Sequence, residues 1–138
     1  MKTLKNLFLL SIIVLLTFSS CDEDDDAPIT IVGTWKLVSA TVNGIADTEL
    51  IPCDLETTLN FTENIIVTTY YFDPENDAGS NCQFDDSDTG EYTINGDFIT
   101  VTFDDGDSIT DEIEELTATT LKIKFIDDDE VIVTYVRI

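Results

Sequence analysis

Residues 30–138 predict an all-β domain, an eight-stranded antiparallel up-and-down meander closed into a barrel. Three observations predict it. Past Pro28 no stretch keeps a helical period for more than about two turns. The same region is rich in Thr, Ile, Val, Phe and Tyr between turn signals, a composition suited to a pleated, half-buried surface. Finally, Asn95-Gly96 separates two alternating runs, which is the strongest short hairpin signal because both turn positions need positive φ.

The first strand is "IVGTWKLVSATV" from Ile31, with Trp35 and Leu37 on one face. A long connection, "NGIADTELIPCDL", leads to the second, "ETTLNFT" from Glu56, and a tight "TEN" turn to the third, "IIVTTYYF". The loop "DPENDAGSNCQFDDSD" is dense in turn formers and breaks the chain before the fourth strand, "TGEYTI". The fifth is "DFITVTF"; "DDGD" then leads to the sixth, "SITDEIEEL". The seventh, "TTLKIKFI", alternates cleanly, with Leu121, Ile123 and Phe125 on one face and Lys122 and Lys124 on the other. The last, "VIVTYVRI", follows "DDDE". A meander of this length with one apolar face removes its edges by closing on itself; an open sheet or a two-layer sandwich is the rival. Candidate inward residues are Trp35, Leu37, Leu59, Phe61, Tyr92, Ile94, Leu121, Ile123, Phe125, Val133 and Tyr135. They either fill the interior or line a hollow, and both remain open. Val38, Ile66, Tyr70, Phe72 and Ile132 add apolar groups to the other face, where a partner or a loop would cover them.

Within "GTWKL", Gly33 and Trp35 resemble the Gly-x-Trp that opens the first strand of lipocalins. Together with the closing "YVRI", residues 30–138 resemble the lipocalin-like domain of bacterial lipoproteins. The resemblance implies that Trp35 packs at the closed end of the barrel under Arg137, beside Gly33. It also implies a binding module for a small apolar ligand.

The chain's first residues point to the cell envelope. Lys2 and Lys5 precede Leu7 to Leu16, where only Ser11 is polar, which is the layout of a signal peptide over residues 1–20. As a helix the apolar stretch to Phe18 reaches ~18 Å, whereas a bilayer core needs ~30 Å. Ser19-Ser20-Cys21 resembles the lipobox of bacterial lipoproteins, whose cysteine carries a lipid through its sulfur and becomes the mature N-terminus. Residues 21–29 are then a lipidated Cys21 followed by an acidic tether, since "DEDDD" has nothing to pack against and must be solvated. That run is similar to the signal that sends some lipoproteins to the outer face of the outer membrane. The localisation this implies is a surface-exposed outer-membrane lipoprotein, or else one held on the periplasmic leaflet.

Charge restricts the partners. The whole chain has a formal charge of −23; from Cys21 onward it keeps Lys36, Lys122, Lys124 and Arg137 against all 29 acids, so losing Lys2 and Lys5 makes it −25. Such a field repels nucleic acid and anionic headgroups and leaves cations and basic proteins as partners. In a meander alternate connections share an end, so one end gathers sixteen acids from residues 43–54, 73–88, 104–107 and 127–130. Cys53 and Cys82 fall at that same end. Exported, and even in number once Cys21 is lipidated, they are expected to pair as a disulfide.

The residues for catalysis are few. The chain has no histidine, and its cysteines are allotted to lipid and disulfide, so general acid or base work would fall to carboxylates alone. No enzyme activity and no cofactor are expected. "DDGD" and "DPENDAG" suggest calcium superficially, but Ala78 stands where an EF-hand loop needs glycine, and Asp-rich hairpin turns explain both segments. Two functions follow: a lipid-anchored binding module for a small apolar ligand, or a filled barrel that displays its acidic, disulfide-linked rim to a basic partner or to Ca2+.

Overall fold

The computed structural model describes residues 28–75, 81–126 and 130–138. The expected signal peptide over residues 1–20, Cys21 and the acidic run after it lie outside the described residues. Among the described residues nine strands occur in chain order: β1 (Gly33–Val42), β2 (Ile45–Ala46), β3 (Thr58–Phe61), β4 (Ile65–Phe72), β5 (Gln83–Asn95), β6 (Phe98–Phe103), β7 (Ser108–Leu116), β8 (Thr120–Ile126) and β9 (Glu130–Arg137). From β3 onward each strand pairs antiparallel with the next; β1 pairs with β3 on one side and with β9 on the other. The two-residue β2 is a ribbon on the end of β1, so the closed ring has eight strands. The β1–β9 ladder, from Trp35 opposite Arg137 to Val42 opposite Val131, excludes the open sheet and the sandwich.

Register decides which side chains face in, because directly opposed residues share a face. Trp35, Leu59 and Tyr135 set the inward parity, and Ile66, Gly90, Tyr92, Ile99, Val101, Leu121, Ile123 and Val133 follow it into the core. A bulge between Leu37 and Ser39 turns Val38 outward and lets Leu37 and Ala40 both face inward. Ile94 is 43 % exposed at the strand's end and is no core residue, whereas Ile66, expected outside, is buried inside.

Three local details differ from the expectation. At Asn95-Gly96 the hairpin is present, but Asn95 pairs with Phe98, so the turn residues are Gly96 and Asp97, and only Gly96 has positive φ (62°). The pair with two positive φ angles is Asn43 (52°) and Gly44 (75°), which folds β1 back onto β2 inside the long first connection. Most consequential, β5 begins at Gln83, so Asp85, Asp86 and Asp88 stand on a strand paired with β4 and not in a loop.

Candidate functional site

The barrel has a closed end and an open one. At the closed end Trp35 is fully buried, and its Nε1 donates to the Ile31 carbonyl at 2.7 Å. The Arg137 guanidinium lies 4.2 Å from the Trp35 ring centre. It also donates to three backbone carbonyls: Nη1 to Val32 (2.7 Å), Nε to Ala118 (2.9 Å) and Nη2 to Thr30. One fork thereby ties the lead-in of β1 to the β7–β8 turn. Gly33 is required beneath it, because a Cβ there would sit 2.4 Å from Arg137 Nη1 and the backbone φ is +141°. Phe61 and Tyr92 complete the floor edge to face at 5.1 Å, with the Tyr92 hydroxyl donating to the Thr62 carbonyl.

Above this floor the barrel is hollow. A cavity of about 210 Å³ is walled by Leu59, Ile66, Ile99, Val101, Ile123 and Phe125, with Thr57, Thr68, Tyr70, Asp88, Asp111 and Tyr135 as its polar groups and Phe103 and Ile109 toward the opening. Gly90 contributes space by having no side chain: a Cβ would meet Val101 Cγ1 at 2.6 Å. Asp88 follows the inward parity of Gly90 and Tyr92, and Asp111 stands directly opposite Ile99. Burial first, and then the charge and proton-accepting oxygen of neighbouring Asp88, push the Tyr70 phenol above its ordinary pKa. Tyr135 is raised much further, by burial and then by Tyr70 and Asp111.

The mouth opens toward the connections after β2, β4, β6 and β8. There Cys53 and Cys82 form a disulfide with Cα atoms 5.2 Å apart. A shallow groove on the rim shares Asp88, Phe103 and Ile109 with the cavity and adds Asp104, Asp105 and Asp107. Of the other rim acids, Asp77 and Asp127 to Asp129 lie outside the described residues. Among the described residues no three His, Cys, Asp or Glu side chains converge to hold a metal ion.

The family model of the lipocalin-like domain matches residues 31–123. The chain belongs to the lipocalin-like domain family. Two solved structures share the fold of this lipocalin-like chain. One, a protein of Bacteroides eggerthii described as uncharacterized, is 12 % identical with a TM-score of 0.57, the alignment covering 78 % of this chain and 98 % of that one. The other, a lipocalin-like protein of Bacteroides uniformis, is 14 % identical with a TM-score of 0.55, covering 78 % and 97 %. No curated protein matches the sequence.

The structure of this lipocalin-like domain gathers Gly33, Trp35 and Arg137 at the closed end and joins Cys53 to Cys82 at the mouth. Of the polar half of the cavity, sequence reasoning placed only Tyr135 inside; Tyr70, expected on the outer face, lines the cavity instead. A usable signal existed for Asp111, which shares the alternation of Ile109 and Ile113. For Asp88 the same parity with Tyr92 was there, hidden by reading its segment as loop.

The phenols make a pH prediction. Tyr70, Tyr92 and Tyr135 hold their protons more tightly in the fold than in the unfolded chain, where tyrosine titrates near pH ~10. Above that pH the unfolded state binds fewer protons than the native one, so stability falls as pH rises; below it their contribution is whole. The urea midpoint is therefore expected to drop above pH ~10, and less steeply in Tyr135→Phe. An identical alkaline drop in that variant would remove Tyr135 as its source.

Proposed function

We propose that this lipocalin-like chain is a lipid-anchored, non-enzymatic binding module of the cell envelope that holds one small, mostly apolar molecule in its barrel. The cavity carries the reading: an apolar hollow with a few convergent polar groups, open at one end, is the usual form of a small-molecule site. At about 210 Å³ it is smaller than the ~300–1,000 Å³ of pockets for drug-sized ligands, so the occupant is compact. The sequence around Cys21 supports lipidation and an outer-membrane location, on the surface or on the periplasmic leaflet. Because β1 starts at the closed end, a tether from Cys21 leaves from that end and the mouth faces away from the bilayer. A second reading, display of the rim to a basic protein, is favoured by the acidic groove of Asp88, Asp104, Asp105 and Asp107.

One experiment tests both halves of the leading proposal. Native mass spectrometry of the full chain expressed in its own host and extracted from membranes should find a protein that begins at Cys21, carries the mass of a lipid anchor, and retains one small molecule. A chain without lipid overturns the anchoring. An empty barrel, with no melting shift across a panel of small apolar compounds, overturns the ligand reading.

A further inference from the structure

We infer that the cavity selects a cationic occupant, a small amphiphile with a protonated amine head and a short apolar body. This rests on the reading of the cavity as a ligand site and adds the charge of the ligand to it.

Among the described residues every charged group in the cavity wall is negative: Asp88 near the mouth and Asp111 between Ile109 and Ile113 on β7, with no lysine or arginine in the described lining. An anionic ligand would meet like charge in a partly desolvated space, which is strongly unfavourable. A neutral ligand would gain no charge–charge attraction from these carboxylates. An ammonium head replaces its lost water with charge-assisted hydrogen bonds to carboxylate oxygens.

A second observation points the same way. Tyr135 is only 7 % exposed, and among the described residues its hydroxyl makes no hydrogen bond. No fully enclosed side-chain polar atom among the described residues lacks a partner, so this hydroxyl opens onto accessible space, which for this side chain is the cavity. It stands within the electrostatic reach of Tyr70 on β4 and Asp111 on β7, so the polar groups converge from across the barrel. A phenol oxygen is an acceptor for an ammonium donor, and an ammonium group offers three N–H donors and no acceptor. The walls above and below are aromatic and aliphatic, suited to an alkyl or aryl body, and aromatic faces also attract cations. Outside the mouth, Asp104, Asp105 and Asp107 extend the negative field along the approach.

The test is calorimetric titration of the full chain at neutral pH and physiological ionic strength with n-hexylamine, n-hexanol and n-hexanoate. Methylamine measures attraction to the acidic surface alone. Hexylamine is expected to bind at least about tenfold more tightly than hexanol, with hexanoate weakest. Asp111→Asn should bring hexylamine to within about threefold of hexanol. Asp88→Asn, at the exposed mouth, should give a smaller change in the same direction and serves if the first variant does not fold. Hexanol and hexanoate binding as tightly as hexylamine would overturn the charge selection and leave the cavity as a ligand site. Methylamine matching hexylamine would also overturn it, since the attraction would then belong to the surface. Binding by none of the four would overturn both readings.

Discussion

Replacing Trp35 with alanine is expected to cost about 3–5 kcal/mol of stability, a large fraction of the ~5–15 kcal/mol that holds a domain folded. The indole is fully buried and sits under the Arg137 guanidinium, so its removal leaves a void at the closed end and strips the cation of the ring it covers. It also takes away the donor to the Ile31 carbonyl. Trp35→Phe separates these effects: it retains most of the packing, loses the N–H, and should cost about 1–2 kcal/mol. Arg137→Lys tests the other partner. An ammonium cannot reproduce a planar fork that donates to Thr30, Val32 and Ala118 at once, so about 2–3 kcal/mol should be lost despite the unchanged charge. Urea unfolding followed by circular dichroism measures all three. A loss below about 1 kcal/mol in Trp35→Ala would mean that the floor closes without its plug.

The ring was legible in the sequence because its strands alternate, its turns carry Gly, Asn and Asp, and one apolar face of eight segments leaves closure as the economical solution. The clean period of "TLKIKF" placed Leu121 and Ile123 inside without ambiguity. Two other features were encoded but masked. The Asn43-Gly44 hairpin lies at the start of a long turn-rich connection, where a two-residue strand has no hydrophobic pattern to announce it. In β5, "QFDDSD" has poor β propensity, and pairing with β4, from Thr68 opposite Asp88 to Phe72 opposite Gln83, makes it a strand. That tertiary effect moved Asp88 from the loops to the cavity wall. The hollow itself was not legible. Its existence depends on Gly90 facing Val101 and on polar residues taking inward positions, whereas volume in a barrel is the sum over all inward side chains and no single segment reports it.

The disulfide should be the device that keeps this unfavourable segment in place. Cys53 and Cys82 are 29 residues apart, and in the chain-entropy model closing such a loop stabilises the fold by about 3–4 kcal/mol. For a domain near this size, reduction is expected to lower the Tm by about 15 °C. The loss should also be local. Cys82 immediately precedes β5, where Gln83 and Phe84 pair with Phe72 and Tyr71 beyond a bulge, next to the Asp85, Asp86 and Asp88 run. Once the bond is cut, like charges and low propensity act against this end of the β4–β5 ladder. The rest of the strand remains anchored by Tyr92, buried between Phe61 and the Thr62 carbonyl. Hydrogen exchange of the reduced protein, or of the Cys53→Ala/Cys82→Ala variant, should therefore show amides of residues 83–88 deprotected while those of 90–95 stay slow. Asp88 lies in the fraying part, so the cavity mouth would loosen with it before the barrel melts. Uniform loss of protection along β5, or none at all, would show that the strand is held by its ladder alone and that the cross-link contributes only to the unfolded state.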